Sequence, residues 1–334
     1  MAERKRTAGF ARAGGYRVPS GAAKAMRRAA RETQQGEIRL LGDVVPRHRA
    51  STRRIEPRFT CDAPDTRLFV GDCREVLPAL ADRGQADLVF ADPPFNWDVP
   101  YEGWNDGMSR EAYERFTFDW LDASVDLLSP RGSLWVNIPD DTAAEVVMHL
   151  KRRGLHMVNW CIWHFRFGQY RRGRFLTSKA HALYFVRDPV RRIWNPGPIL
   201  EPSDRSVVYR DKRSKAKPGG RGMRIPMDVW YGPFLGRVHG KSVERRAAHQ
   251  NQLPEAYLER IVLACTRPDS LVVDPFAGSG TTATVARAYG RRSISVELAP
   301  ESAESAWERI TKVGMVKKGR ALGKANPIRN SKML

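Results

Sequence analysis

The sequence predicts an α/β protein built on a doubly wound, mostly parallel sheet. Two observations indicate this fold. Between residues 67 and 186, short apolar runs such as ADLVFA alternate with longer amphipathic segments, and the alternation resumes after residue 240 with PEAYLERIVLACTR and SLVVD. Because parallel strands need crossover connections that cover both faces of a sheet, this alternation predicts strands layered between helices.

The predicted elements have suitable residues at their ends. Ser109 is a preferred N-cap for the helix that follows it, and Gly84 can close the helix that precedes it. The elements of the first part are the strand TRLFVGD, the helix CREVLPALADRG, the strand ADLVFADPP, the helix SREAYERFTFDWLDASVDLL, the strand GSLWVNIP, the helix DDTAAEVVMHLKRRG and the strands HMVNWCIWHF and HALYFVRD. Later, SLVVD and SISVEL are predicted strands separated by a helix.

The net charge of +20 is concentrated in three segments. Residues 1–60 carry 15 Lys or Arg against 5 acids, residues 166–224 carry 16 against 4, and residues 309–334 carry 8 and no acid. The remainder is therefore slightly acidic. A basic periphery on such a body favours a polyanion such as nucleic acid, and solubility or solvated tails are the alternative explanation.

These changes in composition predict five regions. Residues 187–240 lose the strand–helix pattern and are rich in Pro, Gly, Arg and Lys, so we expect an inserted module there. One helix is predicted from Ser20 to Gly36. The regions are a largely flexible basic arm (1–60), two halves of one catalytic domain (61–186 and 241–310), the basic insertion between them (187–240) and a basic tail (311–334).

Several classes of protein are not indicated. The four cysteines are scattered without CxxC spacing, so that neither a zinc site nor a disulfide framework is predicted, and no metal is expected. No apolar run reaches the length that crosses a membrane, and the N-terminus lacks the apolar core of a signal peptide. We therefore expect a cytoplasmic protein.

The stretch VFADPPFNW, residues 89–97, is the first to suggest chemistry. Proline cannot donate to a strand ladder, so the strand ends at Asp92, and Pro93 and Pro94 hold the chain stiffly at the edge of the sheet. An aromatic side chain follows at Phe95. An acid at a strand end is more often a structural cap, and Asn96 fits a turn.

The stretch SLVVDPFAGSGTT, residues 270–282, is the second. A strand ends at Asp274, and glycines at 278 and 280 precede a helix whose first N–H groups are unpaired. Glu297 ends the next strand, where an acid can bind ribose hydroxyls. A P-loop is the obvious rival, but its GK[ST] ending is missing. The dinucleotide motif GxGxxG is incomplete because position 283 is Ala.

Together, DPPFNW and DPFAGSGTT resemble the exocyclic-amino DNA methyltransferases that use S-adenosylmethionine. The order of the two motifs, with a basic segment between them, is similar to the beta group of that family. The resemblance runs from about residue 67 to residue 310 and includes GDCREVLPAL and HQNQLPEAYLERIV. It implies a Rossmann-like methyltransferase sheet of the seven-stranded type, in which the basic insertion recognises the target.

The resemblance assigns the first motif to catalysis. An adenine amino group is a poor nucleophile because its lone pair is conjugated with the ring. Two acceptors, the Asp92 carboxylate and the Pro93 carbonyl, would draw its hydrogens out of the ring plane, with Pro94 bracing the segment. Phe95 would stack on a base flipped out of the duplex.

The second motif is assigned by the same resemblance to S-adenosylmethionine. Residues expected to contact this cofactor are Asp72, Asn251, Pro254, Asp274, Phe276, Gly278, Gly280, Thr281 and Glu297. Of these, Asp72 would bind the cofactor's adenine, Glu297 its ribose, and residues 274–280 its methionine part. Asp72 could instead cap the helix CREVL, and Thr281 could cap the helix after the glycines.

The target follows from the residue before the prolines. Asp rather than Ser in the DPP motif favours adenine-N6 over cytosine-N4, which stays open as the alternative. Also open are a relative without catalysis, an enzyme that acts on RNA, and the role in restriction–modification, in self-marking or in regulation. The resemblance implies a prokaryotic or phage context and makes a homodimer one expectation, while a partner nuclease is not identified.

Binding of double-stranded DNA is expected from basic residues in RFGQYRRGRF and YRDKRSKAKPGGRGMR. Arg can read guanine bidentately, whereas Lys mostly neutralises phosphate. A basic loop that binds without sequence preference is the alternative. The residues expected to bind are Arg166, Arg171, Arg172, Arg174, Arg210, Lys212, Arg213, Lys215 and Arg221.

Overall fold

A computed structural model describes residues 10–13, 16–19, 55–80, 82–99, 103–170, 172–173, 175–210, 222–232, 235–238, 244–245 and 251–314. The chain divides into two units, Met1–Pro46 and Arg47–Leu334. In the first unit, the described residues form an antiparallel hairpin of β1 (Phe10–Ala13) and β2 (Tyr16–Pro19). The predicted helix from Ser20 to Gly36 and the tail 315–334 lie outside the described residues.

The second unit contains a nine-stranded sheet. Its strands and the two of a small separate pair are β3 (Phe59–Asp62), β4 (Asp65–Val70), β5 (Ala86–Ala91), β6 (Leu128–Ile138), β7 (His156–Gln169), β8 (Thr177–Val186), β9 (Glu201–Pro202), β10 (Met223–Arg224), β11 (Val229–Trp230), β12 (Leu271–Asp274) and β13 (Arg292–Glu297). The helices are α1 (Cys73–Ala79), α2 (Arg110–Leu127), α3 (Ala143–Arg152), α4 (Asp204–Val207), α5 (Glu255–Cys265), α6 (Thr281–Ala288) and α7 (Pro300–Lys312), with a 3₁₀ turn at Gly197–Ile199.

The strand order is β11-β7-β8-β6-β5-β12-β13-β4-β3. Neighbours pair in parallel from β6 to β4, while β8 and β3 run against them. The seven inner strands correspond to the predicted seven-stranded type, and the edge strands β11 and β3 add the other two. The prediction of a doubly wound α/β fold is confirmed. Sequence patterning did not reveal β3, the full length of β7, or α7.

The sheet separates two hydrophobic layers, and side chains of β5 alternate between them. Val89 and Ala91 pack in the layer of α1, α2 and α3, while Leu88 and Phe90 pack in the layer of α5 and α6. Because successive side chains of a strand point to opposite faces, a continuous apolar run such as ADLVFA fits a strand covered on both sides. The central strands are therefore rigid supports for whatever follows their carboxyl ends.

Chain direction puts five strand ends at one edge of the sheet. Strands β4, β5, β6, β12 and β13 are parallel neighbours, so the residues after Val70, Ala91, Ile138, Asp274 and Glu297 emerge together. The chain moves outward from β5 to β6 on one side and from β12 to β13 on the other. Crevices in open α/β sheets form at such a switch point. Both sequence motifs reach it.

None of the described helices is both long and apolar enough to cross a lipid bilayer.

Candidate active site

A cavity of about 450 Å³ opens at this edge of the sheet, and both motifs contribute to its wall. Asp92 follows β5, and Asp274 ends the adjacent strand β12. Of the residues expected in the site, the wall contains Asp72, Asp92, Pro93, Pro94, Phe95, Asn251, Asp274, Phe276, Gly278, Thr281 and Glu297. Strand direction alone is enough to explain the meeting of residues that lie almost 200 positions apart.

Asp92 is held by a chain of buried hydrogen bonds. The Asn137 side-chain amide on β6 donates to Asp92 Oδ1 at 3.2 Å. The Tyr257 hydroxyl on α5 donates to Asn137 Oδ1 at 2.6 Å, and Asn137 and Tyr257 are 1% and 0% exposed. A side-chain amide that accepts on its oxygen must present its nitrogen on the other side. Tyr257 therefore orients Asn137, and Asn137 orients the Asp92 carboxyl group.

Burial raises the pKa of Asp92 to about 7. The hydrogen bond from Asn137 opposes this shift, the Asp274 carboxylate adds to it, and the charge of Arg237 opposes it. A buried carboxylate pays a desolvation cost in its charged form, which a neighbouring acid increases. At neutral pH this group is thus poised between its two protonation states.

The proline pair is fixed from the other side by Tyr113 of α2. The Tyr113 hydroxyl, on a side chain that is 3% exposed, donates to the Pro94 carbonyl at 2.6 Å. Among the described residues, no hydrogen bond is recorded to the carbonyl of Pro93. Tyr113 thus fixes the Pro94 carbonyl, and the neighbouring Pro93 carbonyl adjoins the cavity that Pro93 lines.

The loop after the motif is tied down by Asp106. Its carboxylate accepts hydrogen bonds from the backbone N–H groups of Asn96, Trp97 and Val99 at 2.9, 2.9 and 3.0 Å. Asn96 has a φ of 57°, which agrees with its prediction as a turn residue. Its side chain exchanges two hydrogen bonds with the backbone of Met108. Trp97 and Val99 are thereby held in the cavity wall.

Phe95 lines the cavity and packs at its base against the core. Trp97 stands edge-on to it, with ring centroids 5.2 Å apart and an interplanar angle of 79°. Phe95 is only partly buried and lines the cavity, so that part of its surface is open to a ligand. This geometry is compatible with the predicted stacking on a base.

On the opposite wall, the glycine turn is organised by carboxylates. Asp274 Oδ1 accepts from the Phe276 N–H at 2.9 Å, and Glu297 Oε2 accepts from the Gly278 N–H at 2.8 Å. Glu297 Oε1 also accepts from the Ala299 N–H at 3.2 Å. Gly278 has a φ of 49°, a region that side chains other than glycine rarely adopt. The two acids thus shape the turn and still face the cavity.

The acids of this wall are also destabilised as anions. Burial raises the pKa of Asp274 to about 6, against hydrogen bonds from Thr282 and Phe276. Burial likewise raises the pKa of Glu297, against backbone hydrogen bonds from Ala299, Gly278 and Leu298. Three acids with raised pKa values in one cavity disfavour an anionic ligand and favour a cation.

Two residues expected to contact the cofactor lie outside the cavity wall. Gly280, with a φ of 72°, begins α6, and an added Cβ would come within 3.1 Å of Ala306 on α7. Its role here is therefore close helix packing. Pro254 is the residue before α5, and its neighbours Asn251 to Leu253 line the cavity instead.

Arg309 supports the glycine turn from below. This side chain on α7 is 3% exposed and donates to the Ser279 carbonyl at 3.1 Å and to Thr281 Oγ1 at 2.8 Å. It also pairs with Glu255 at 2.7 Å. Thr281 reaches the cavity while its hydroxyl faces this buried network. No sequence motif indicates Arg309, because α7 follows the second motif by about 20 residues.

Asp72 is the N-cap of α1, as the alternative interpretation expected. Its carboxylate accepts from the Arg74 N–H at 2.8 Å and pairs with the Arg74 guanidinium at 2.6 Å. Burial alone would raise the pKa of Asp72, but the hydrogen bonds and the charge of Arg74 hold it below its usual value. Asp72 also lines the cavity, so that capping and ligand binding are compatible at this position.

Further wall residues were not predicted from the sequence. Phe276 belongs to an aromatic cluster. Its ring centroid lies 6.1 Å from that of Phe116 and 5.1 Å from that of Trp120, and the centroids of Trp104 and Phe116 are 4.5 Å apart. The other unpredicted members of the wall are Gly71, Cys73, Phe90, Val99, Trp163, Arg237, Val238, Gln252, Leu253, Pro275, Ala277, Ser279, Thr282, Val296, Leu298, Ala299 and Ser302. The helical spacing of Tyr113, Phe116 and Trp120 signals a buried face, but not which cavity that face adjoins.

Few of the expected DNA-binding residues can be placed. Arg172 and Arg210 are exposed. Arg166 lies on β7, and its side chain is outside the described part. Arg171, Arg174, Lys212, Arg213, Lys215 and Arg221 fall outside the described residues, so their expected role stays a prediction. Within the part of the chain that the structure describes, no group of three His, Cys, Asp or Glu residues could hold a metal ion.

Comparisons with known proteins agree with this geometry. The model of a family described as DNA methylase matches residues 86–308. The chain is 29% identical to the type II methyltransferase M.ScaI of Streptomyces caespitosus, over 71% of this chain and 78% of that protein. It is 32% identical to the type II methyltransferase M.BamHI of Bacillus amyloliquefaciens, over 74% of this chain and 57% of that protein.

Among solved structures, the PvuII DNA methyltransferase, which is described as cytosine-N4-specific, has a TM-score of 0.58 at 17% identity. The match covers 80% of this chain and 91% of the PvuII methyltransferase chain, and it supports the fold. The extent of the family match, spanning both motifs and the cavity between them, leads to one conclusion: this chain belongs to the DNA methylase family, the S-adenosylmethionine-dependent amino-methyltransferases that its two motifs resemble.

Proposed function

We propose that this protein is a site-specific DNA methyltransferase that transfers a methyl group from S-adenosylmethionine to the N6 amino group of a flipped adenine in duplex DNA. The observation that carries the proposal is the pair of acceptors on one wall of the cavity. The Asp92 carboxyl group is oriented by Asn137, and the Pro93 carbonyl adjoins the Pro94 carbonyl that Tyr113 occupies.

The proposed role of this pair is to activate the amino group. An exocyclic amino group has two hydrogens, and two acceptors from different directions can bind both. Hydrogen bonds out of the ring plane weaken the conjugation of the nitrogen lone pair with the ring and aim it into the cavity. The buried hydrogen bonds of Asn137 and Tyr113 supply rigidity, which is the basis of preorganised catalysis.

The cavity suits the cofactor of the family. Its volume of about 450 Å³ lies within the range of cavities that bind small molecules. S-adenosylmethionine supplies a methyl group on a positively charged sulfur, and the acids Asp92, Asp274 and Glu297 around the cavity favour a cationic ligand. Phe276, Gly278 and Thr281 would hold its methionine part, Glu297 the ribose, and Asp72 and Asn251 the remaining contacts.

The choice of adenine rests on Asp at position 92. The amino-methyltransferase pattern has DPP in adenine enzymes and SPP in many cytosine enzymes, and this chain has Asp92-Pro93-Pro94. Cytosine-N4 methylation is the alternative, because the same pair of acceptors would bind the cytosine amino group. The likeness to a cytosine-N4-specific structure concerns the fold and does not decide between them.

Double-stranded DNA is the proposed partner. The cavity accepts a single base, and a base inside a duplex can reach it only after it has been flipped out. The excess of Lys and Arg from 166 to 224 would bind the phosphates on either side. A type II role like that of the named relatives and a cytoplasmic location follow as parts of the same proposal.

One experiment tests the reaction and the target together. The purified protein would be incubated with labelled S-adenosylmethionine and, in separate reactions, mixed duplex DNA or RNA, and the nucleic acid would be digested to nucleosides for mass spectrometry. We expect N6-methyladenine. N4-methylcytosine would replace the adenine assignment with the alternative, and label in RNA but not in DNA would refute the DNA proposal. The Asp92→Ala protein, prepared identically, controls for a contaminating enzyme.

A further inference from the structure

The β7–β8 hairpin extends well beyond the edge of the sheet. The strand registers align Ala91 with Val136, Val136 with Leu183 and Leu183 with Trp160. Trp160 therefore marks on β7 the level at which the catalytic motif begins. From Trp160 the strand continues to Gln169. Because the register shifts between His164 and Gln169, β8 sets the length of the ribbon: the six steps from Leu183 back to Thr177, at about 3.3 Å each, give about 20 Å of additional strand. A two-stranded ribbon therefore stands out from the edge.

This ribbon rises on the same side as the cavity. β7 runs antiparallel to β8, and β8 runs antiparallel to β6, so the carboxyl end of β7 lies at the edge that holds Asp92. Trp163 on β7 is itself part of the cavity wall. Beyond it the register shifts between His164 and Gln169, and Gln169 then pairs with Thr177. The ribbon thus continues from the wall of the cavity into solvent.

Large apolar side chains are exposed at the tip of the ribbon. Phe175 is 99% exposed, Tyr170 78% and Leu176 58%. Phenylalanine is usually among the most buried residues, so an almost fully exposed ring beside two other large side chains indicates a surface that another molecule covers. Because Gly168 packs against Leu176, with only 2.6 Å between an added Cβ and Leu176 Cβ, the ribbon is closely packed near its tip.

The charge around the tip identifies the partner. From residue 166 to residue 187 the sequence contains no Asp or Glu, and Arg171, Arg172 and Arg174 lie between Tyr170 and Phe175 in the sequence. Arg172 is exposed. A positive segment without any acid favours a polyanion, and arginines next to aromatic residues match phosphates beside stacked bases. The major groove also admits a two-stranded ribbon.

We propose that the tip of the ribbon inserts Phe175, supported by Tyr170, into the base stack of duplex DNA next to the base that enters the cavity. This proposal rests on the proposed function, because it assigns a task that base extrusion creates. Removing a base from the stack leaves its neighbours unstacked, at a cost of a few kcal/mol. An apolar wedge that fills the gap keeps the extruded state populated.

Phe175→Ala tests the proposal, with Val190→Ala as the matched control. Val190 is 89% exposed and follows β8 at its carboxyl end, which lies at the opposite edge of the sheet. We expect Phe175→Ala to lower kcat/KM on an intact duplex by about tenfold to a hundredfold, the usual range for an aromatic side chain that stacks on a base. Val190→Ala should match the wild type, and both variants should bind S-adenosylmethionine normally.

A second substrate separates a wedge from a simple binding contact. In a duplex with an abasic site opposite the target base, the gap already exists, so the deficit of Phe175→Ala should shrink to less than threefold. Equilibrium binding gives the same contrast without catalysis. The ratio of affinity for the abasic duplex to affinity for the intact duplex should be larger for Phe175→Ala than for the wild type. An undiminished deficit on the abasic duplex, or none on the intact duplex, overturns the wedge. Absence of DNA methylation by the wild type would instead refute the proposed function, and the binding contrast would still decide the wedge.

Discussion

The two walls of the cavity are held by different kinds of contact. The Gly278 wall, which we define as Asp274–Thr281 with Glu297, is shaped mainly by hydrogen bonds from its own backbone N–H groups to Asp274 and Glu297. The Asp92 wall, defined as Asp92–Trp97, is held by side chains from elsewhere in the chain. A wall built from its own backbone tolerates changes around it, whereas one oriented by remote side chains depends on each of them.

This difference concerns function as well as stability. The Gly278 wall has to enclose a ligand, which a turn of glycines and acids achieves with local geometry. The Asp92 wall has to hold two acceptors in fixed directions, and fixed directions need contacts on several sides. Asn137, Tyr257 and Tyr113 provide those contacts from β6, α5 and α2.

The largest effect is expected at the acceptor itself. Asp92→Ala removes the carboxyl group without touching the Gly278 wall, so methyl transfer should fall by about a thousandfold, the upper range for the loss of one preorganised hydrogen-bonding group. Cofactor affinity should stay within a few-fold. Single-turnover transfer and equilibrium binding measure the two quantities. Transfer at near wild-type rate would show that Asp92 does not activate the amino group.

The next-largest effect is expected at Arg309. This buried cation supports the Gly278 wall from a distant part of the chain, so it is an exception to the comparison. Arg309→Met removes the ion pair with Glu255 and three hydrogen bonds to Ser279 and Thr281, so the free energy of unfolding should fall by about 3 kcal/mol. Cofactor affinity should fall with it. Urea denaturation measures the change in stability.

Lys312→Met on the same helix is the matched control for Arg309. Its ion pair with Glu308 is 74% and 71% exposed on the two sides, and exposed pairs contribute less than about 1 kcal/mol. Equal destabilisation by the two substitutions would contradict the role of Arg309 beneath the glycine turn.

The raised pKa of Asp92 predicts how the activity depends on pH, and this dependence tests the role of the Asp92 wall. A pKa of about 7 means that the carboxylate is protonated below neutral pH and loses an acceptor. The value of kcat/KM should therefore fall about tenfold for each pH unit below 7. Asp92→Asn, which keeps one acceptor and cannot titrate, should be slower and should lack this dependence.

Protein stability should change in the opposite direction, which separates it from activity. The pKa of Asp92 is near its ordinary value of 3.8 in the unfolded chain and about 7 in the folded protein. Between these values the unfolded chain binds fewer protons, so the free energy of unfolding should decrease as pH rises from about 4 to 7 and then level off. Activity lost by acidification to pH 6 therefore cannot be assigned to unfolding through this group. An unchanged kcat/KM between pH 6 and 8 would contradict the assigned pKa.

The smallest effect concerns the remote support of the Asp92 wall. Tyr257→Phe removes the hydroxyl that orients Asn137, and the rate of transfer should fall about tenfold, as expected for about 1.4 kcal/mol of lost positioning. Tyr289→Phe is the control. The Tyr289 hydroxyl donates to Glu259 Oε1 at 2.6 Å, and neither residue belongs to the cavity wall. Both should lose similar stability. Equal transfer rates for the two variants would remove Tyr257 from the positioning of Asp92.

Much of the core fold could be predicted from the residue pattern. The long strands and helices from β4 to β13 were predicted because apolar period and length distinguish a buried strand from an amphipathic helix. The edge strand β3, the extension of β7 and the helix α7 were not. The first and the last depend on packing between elements that are distant in sequence, as Phe59 of β3 stacks on Trp307 of α7, while the extension of β7 depends on its pairing with β8.

The sequence by itself determined the chemistry at the two strand ends. Asp92-Pro93-Pro94-Phe95 and Asp274-Pro275-Phe276 are contiguous, and the type of each residue states what it can do: proline stops a strand, glycine permits a tight turn, and a carboxylate accepts hydrogen bonds. Parallel strand order then predicts that the two stretches meet. Local covalent structure is enough for these conclusions.

Only the tertiary structure decided which residues orient that chemistry. Asn137 and Tyr257 are an ordinary strand asparagine and an ordinary helix tyrosine in the sequence, and 120 residues separate them, yet their hydrogen bond directs Asp92. Arg309 and the exposed Phe175 are equally inconspicuous. Side-chain direction and burial depend on the packing of all neighbouring elements at once, and no local pattern contains that information.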